Sequence, residues 1–428
     1  MREPAEEGTA RTGLSRRALL GVFGAGAATA AGIGAAGVAL AREAGEAPAG
    51  DRRFDFFGAH QAGITTPMQN NLYFAAVDVT TDSREDLIDL LRQWTEAAAA
   101  MTQGREIDAL GALGGSYDAA PEDTGEALGL PASGLTVTIG FGPTLFGDQR
   151  GRDRFGIAAD RPPGLRELPH FPSDMTDPAI SGGDLCIQTC ADDAQVAVHA
   201  VRNLIRIGFG RTTVRWSQAG FGKSSVTSPD DATPRNLFGF KDGTANITGD
   251  PADTDRFLWV APTDDPAWMA GGTYLAVRKI RMTIETWDRT SLREQEAVFG
   301  RSKREGSPLS GGGEFDTPDF TMAGSDGQPL IAADSHMALA HPSANDGQRI
   351  LRRAYNYTDG SDGLGRLDAG LFFLAFQRDL DKQFIPLQMR LSKSDLMNEY
   401  VRYLSSSVFA VPPGVQPGGY WGQSLFDL

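Results

Sequence analysis

The sequence predicts an α+β protein built from two ferredoxin-like halves, each β-α-β-β-α-β, with their antiparallel sheets facing each other. Three observations carry this. The same order of strands and helices runs twice along the chain. The candidate helices show apolar residues at close to a 3.6-residue period, whereas the candidate strands are short runs rich in β-branched and aromatic residues. The length of 428 residues, 41% hydrophobic and 22% charged, suits a soluble globular chain with two or three domain-sized units.

The first pass opens with a strand at Asn71–Thr80. A helix at Arg84–Met101 follows, its apolar face carried by Leu87, Ile88, Leu91 and Trp94. Strands at Leu135–Gly142 and Asp184–Ala191, a helix at Ala194–Ile207 and a strand at Thr212–Ser217 complete it. The second pass begins with a strand at Thr273–Ile284 and a helix at Ser291–Phe299. Strands near Ile350–Tyr357 and Leu371–Gln377, a helix at Phe384–Tyr400 and a strand around Ser405–Val411 close it. A junction near Thr227–Pro234 divides the chain into an N-terminal half, residues 51–230, and a C-terminal half, residues 231–428. Between the first helix and second strand of the later half lies Gly300–Gln348, rich in Gly, Ser, Asp and Pro. Loops of that length inside a compact domain are usually functional.

Residues 1–50 read as a signal and linker and are set aside from the fold. Arg16-Arg17 stands directly before a Gly- and Ala-rich apolar run reaching Val38, and Ala39-Leu40-Ala41 offers small residues for cleavage. This is the pattern of a twin-arginine (Tat) export signal, which carries folded, cofactor-loaded proteins out of the cytoplasm. A membrane anchor is disfavoured, because so many glycines make the run only mildly hydrophobic. The expected location is extracytoplasmic, with the Tat translocase as a partner during export. A net charge of −15 argues against nucleic acid and anionic membranes as partners. Cys186 and Cys190 sit on one predicted strand, roughly 13 Å apart at the usual rise per residue, too far for a disulfide. Two buried thiols are expected.

The chemistry concentrates in Gly239-Phe240-Lys241-Asp242-Gly243-Thr244-Ala245-Asn246. Alone, an Asp-Gly pair is an ordinary turn. Joined to Asp334-Ser335-His336 and Ile350-Leu351-Arg352-Arg353 downstream, it describes a haem pocket: one imidazole below the iron, a carboxylate and a guanidinium above it. Of the five histidines, His170 lies beside prolines and His199 within an amphipathic helix, both structural or surface positions, while His60 opens the folded region and either supports a site or fills it. His336 and His341 remain, and residue type alone does not choose between them. Arg353 rivals Arg352, because adjacent strand residues point to opposite faces.

The chain resembles the dye-decolourising peroxidases, specifically their Tat-exported deferrochelatase/peroxidase subgroup. The resemblance runs from about Gly58 to the C-terminus. It rests on Gly58–Ile64, Gly183-Asp184-Leu185, Val201–Phe209, Arg235-Asn236-Leu237-Phe238, Gly271-Gly272-Thr273-Tyr274, Phe299–Lys303, Asp334-Ser335-His336 and Leu371–Leu380. By this resemblance one haem b per chain is held by His336 as axial iron ligand, and Asp242 and Arg352 are the distal acid–base and charge-stabilising groups. Gly243, Thr244 and Ala245 run along the porphyrin. His341-Pro342-Ser343 falls where relatives often carry Asn-Pro-Arg, so only Pro342 matches there. Arg301 and Lys303 are the cations for the propionates. Ala354 replaces a distal asparagine present in some relatives. The acidic partner behind the axial histidine is Asp395 or Glu399.

These roles imply reduction of hydrogen peroxide through a ferryl product, which an organic, dye-like or phenolic donor then reduces. Asp242 would carry the proton between the peroxide oxygens. An aspartate ordinarily titrates at about 4, so activity at acidic pH is expected. Bulky donors call for surface aromatic relays, for which Trp216, Trp287, Tyr355 and Tyr357 qualify by type. Two alternatives use the same pocket: release of iron from haem with the porphyrin intact, alongside ferrous iron uptake components, and a non-catalytic haem carrier, which would need neither Asp242 nor Arg352. The sequence leaves a homo-oligomer open.

Overall fold

A computed structural model describes residues 51–148 and 150–427; the export signal expected in residues 1–50 lies outside them. Among the described residues, ten strands form one sheet: β1 (Asn71–Val79), β2 (Thr136–Phe141), β3 (Leu185–Ala191), β4 (Thr212–Lys223), β5 (Thr273–Met282), β6 (Leu351–Arg352), β7 (Tyr355–Ser361), β8 (Leu367–Gln377), β9 (Val401–Tyr403) and β10 (Ser407–Val411). Five helices matter for the argument: α1 (Arg84–Met101), α2 (Ala194–Ile207), α3 (Leu292–Phe299), α4 (His336–Ala340) and α5 (Phe384–Ser394).

In the N-terminal half the strand order is β4-β1-β3-β2, and in the C-terminal half it is β7-β8-β5-β10. Both are the ferredoxin-like order, so the expected fold class is observed. The sheets do more than face each other. β4 pairs with β7, β2 meets β10 at Ala410 and Phe141, and β5 pairs with β8, so the ring of strands closes. Closure removes the exposed edges that an open sheet would leave to aggregate.

Phe74, Ala76 and Trp216 from one half and Val277, Phe372, Leu374 and Phe409 from the other fill the space between the sheets. Cys186 and Cys190 are free and buried in the same layer. Outside, α1 and α2 cover the N-terminal sheet. α1 starts where Ser83 caps Asp86 N, and it buries Leu87, Leu90, Leu91 and Trp94; the Trp94 indole donates to Leu204 O of α2 at 2.7 Å. The C-terminal sheet is covered by α5, α3 and the loop-borne helix α4, and this layer holds the site.

Three elements depart from expectation for local reasons. The strand expected over Ile350–Tyr357 is broken at Arg353-Ala354, where Ala354 O accepts from Ser224 N and its own amide reaches Ser225 Oγ. The helix expected over Phe384–Tyr400 stops at Ser394, because Asp395 turns extended and caps a following 3-10 turn through Met397 N. β4 runs six residues beyond the expected Ser217, since β1 offers it partners up to Phe221.

Candidate active site

His336 opens α4 inside the long loop, with Ser335 ahead of it bonded to Ala332 O at 2.7 Å. Leu396 N donates to Asp334 O at 3.1 Å and draws the end of α5 beneath the loop. This sets the Asp395 carboxylate against His336 Nδ1 at 2.6 Å. Asp395 is buried, whereas Glu399 is exposed, so the partner left open by the sequence is Asp395. Burial acts against a charged imidazole, but the Asp395 carboxylate outweighs it and holds the His336 pKa above its ordinary value. With Nδ1 engaged, Nε2 is the nitrogen left for a ligand.

A cavity lies between the outer face of the C-terminal sheet and α5. Ile280 and Met282 of β5 and Leu371 and Phe373 of β8 form one apolar wall, and Leu387 and Leu391 of α5 another. His336, Asp242 and Arg352 all line it. The rivalry between the adjacent arginines resolves by pleat. Arg352 points to the cavity, with Nη1 on Asp242 Oδ1 at 3.0 Å and Nη2 on Thr244 O at 3.0 Å. Arg353 points the other way, is fully buried, and donates to Thr66 O at 2.6 Å.

Two asparagines hold Asp242 and Arg352 in place, and their roles were not read from the sequence. Asn236 donates to the second Asp242 oxygen at 3.1 Å, fixing the carboxylate from behind. Asn246 accepts from Arg352 N at 2.8 Å and donates to Arg352 O at 2.8 Å, so one side chain clamps both backbone polar groups of the arginine. Only their proximity in sequence to Asp242 could have signalled them. Gly243 is required by its neighbours: at φ +151°, a Cβ would meet Val226 N and Cγ2 at 3.1 Å. Ala245 adopts φ +61°, a left-handed conformation costly for a residue with a side chain.

The remaining residues are divided. Gly243, Thr244, Ala245, His341, Pro342 and Arg301 line the cavity. His341 bonds Ser343 Oγ at 2.8 Å, and burial together with the nearby Arg301 charge lowers its pKa. Arg301 hangs from Gly306 O at 2.7 Å and Glu314 O at 3.0 Å. Lys303 lies outside the lining: its ammonium bonds Gln295 Oε1 at 2.7 Å and faces the Phe240 ring, so it is not at hand as a pocket cation. The four aromatic relay candidates do not reach the surface; Trp216, Trp287, Tyr355 and Tyr357 are all buried, the tyrosines completely.

The donor set fits a haem. One neutral-capable imidazole nitrogen with an acidic partner faces apolar walls, and a guanidinium–carboxylate pair and a second arginine share the cavity. Among the described residues, no cluster of three or more His, Cys, Asp or Glu competes as a bare metal site.

Comparison with known proteins agrees. The Dyp-type peroxidase N-terminal model matches residues 61–222 and its C-terminal counterpart matches residues 233–416. The deferrochelatase of Escherichia coli (strain K12) is 38% identical over 436 residues, 97% of each chain. Ferric DtpA from Streptomyces lividans superposes with a TM-score of 0.80 at 38% identity, covering 89% of this chain and 98% of that one. A DyP-type peroxidase from Streptomyces coelicolor gives 0.80 at 39% identity over 89% and 98%. The chain therefore belongs to the Dyp-type peroxidase family and is a haem-dependent peroxidase.

Proposed function

We propose that His336 holds the haem iron, and that Asp242 and Arg352 perform the acid–base and electrostatic work of peroxide reduction. The observation that carries this is the pairing of the His336–Asp395 contact with the Asp242–Arg352 pair across one cavity. Bound haem supplies the iron at which the O–O bond is cleaved and on which the oxidising equivalents are held until a donor arrives. The Asp395 carboxylate orients the imidazole and raises its basicity, as such partners do for metal-bound histidines. Asp242 takes the proton from one peroxide oxygen and returns it to the other, which leaves as water. Arg352 faces the charge that builds as the bond breaks, and it is already locked in place by Asn246 and Thr244 O. Ala354 is apolar and buried, so Asn236, behind Asp242, is the amide available to this carboxylate.

Hydrogen peroxide and an organic donor are the substrates on this reading. Stopped-flow mixing with peroxide tests it: Asp242→Asn should slow the first spectral change by about 10²–10⁴-fold at full haem content. An unchanged rate would remove Asp242 from the role.

The 38% identity to a deferrochelatase along almost the whole chain favours a second reading, release of iron from haem with the porphyrin left intact. Incubation of the holoprotein under reducing conditions with fluorescence detection of metal-free porphyrin tests it; no porphyrin above a heat-denatured control would reject it. Ferrous iron uptake components would then be its partners. Export through Tat to an extracytoplasmic site is supported by Arg16-Arg17 and the apolar run behind them. Replacing both arginines with lysine should leave the protein in the cytoplasmic fraction.

A further inference from the structure

We propose that Glu314, from the long loop of the C-terminal half, is a positioning residue that holds the Asp242 segment in its working conformation. The proposal rests on the assignment of Asp242 above. The Glu314 side chain is only 9% exposed and grips the motif on both sides of Asp242. One carboxylate oxygen pairs with Lys241 Nζ, and the other accepts from Thr244 Oγ1 at 3.0 Å. Its backbone carbonyl accepts from Arg301, so three cavity-lining residues depend on this one position. Gly306 packs closely against this pair, since a Cβ there would meet Lys241 Cδ at 2.9 Å and Glu314 Cγ at 3.5 Å.

The motif needs such a grip. Ala245 carries φ +61°, and a strained residue persists only where its surroundings over-determine it. On its far side, Asn246 is fixed by Val226 O at 2.6 Å and by Arg352. On its near side, Thr244 is held through its carbonyl by Arg352 and through its hydroxyl by Glu314. Glu314 thus supplies one of the two holds on Thr244, and through Lys241 a further one on the segment whose Asp242 carboxylate Asn236 and Arg352 fix. Burial alone would raise the pKa of Glu314, but Lys241 and Thr244 hold it below the usual carboxylate range, so the carboxylate stays charged for this contact.

The test uses the holoprotein and four variants: Glu314→Ala, Glu314→Gln, Thr244→Val and Asp242→Asn. Glu314→Ala should slow the peroxide step at least tenfold at unchanged haem content and donor KM, and Glu314→Gln, which keeps an acceptor for Thr244, should recover most of that loss. Hydrogen–deuterium exchange supplies a readout apart from turnover: peptides spanning residues 241–246 should exchange faster in Glu314→Ala and Thr244→Val. Thr244→Val removes only the hydroxyl, so it keeps the test open if Glu314→Ala fails to fold. Wild-type exchange and a peroxide rate within twofold of wild type in these variants would overturn the proposal. If Asp242→Asn slows the peroxide step while they do not, the inference about Glu314 fails alone; if Asp242→Asn has no effect, the reading of the site fails with it.

Discussion

The two halves share a strand order and differ in what covers their sheets. Over the N-terminal sheet, α1 and α2 pack directly on each other at Trp94, which is fully buried with its indole bonded to Leu204 O. Over the C-terminal sheet, α5 stands off, and a forty-nine-residue loop folds in beside it carrying His336, Arg301 and Glu314. The corresponding N-terminal loop borders a cavity of its own, lined by Arg105, Asp123, Leu128 and His199, and beside it Glu126 pairs with His199 and Arg202. One topology therefore serves two ends. Where helix side chains fill the outer layer it is scaffold; where a loop displaces them, the same sheet becomes the wall of a site.

The largest effects should separate the halves outright. His336→Ala is expected to abolish stoichiometric haem binding, read as haem per protein after purification, while leaving the fold intact by circular dichroism. Arg352→Leu should keep haem but slow the peroxide step by about 10²–10³-fold, the usual loss for removing a preorganised charge-stabilising donor. Asp395→Asn should cost roughly 10–100-fold in haem affinity or turnover, as loss of a partner behind a metal-bound histidine does.

Smaller effects sharpen the contrast through stability. Leu91→Ala, in the filled layer, should cost about 2–5 kcal/mol in denaturant unfolding, and Leu387→Ala, on the cavity wall, distinctly less. Glu126 adds a pH signature to the N-terminal half. Burial would raise its pKa, yet hydrogen bonds from Thr124, its own backbone, His199 and Arg202 bring it down to about 2. A depressed carboxylate stabilises the fold above its unfolded value of 4.5, and that contribution fades as pH falls toward 2. Glu126→Gln should flatten stability over this window without moving the Soret band. Lys303→Ala, outside the cavity, should change haem affinity least of all.

Much of this was legible in sequence, and what was not has physical reasons. α1 and α2 fall at the expected residues because their apolar periods and caps are local signals. Strand closure depended on edge pairings between halves that no local pattern encodes. Asp242, His336 and Arg352 were named from motif and resemblance, and the structure brings all three to one cavity. Asp395 could be narrowed only to a pair, because a broken helix decides it. Asn236, Asn246 and Glu314 act through hydrogen bonds to a neighbour's backbone or carboxylate, and such contacts leave no spacing to read. Lys303 had the right charge and the right loop but the wrong face.

The most direct test is an absorption spectrum of the wild type and of His336→Ala, each before and after one equivalent of hydrogen peroxide. The account predicts a Soret band in the wild type that shifts on mixing, and no bound haem in the variant. Stoichiometric haem in His336→Ala with the same peroxide response would contradict it.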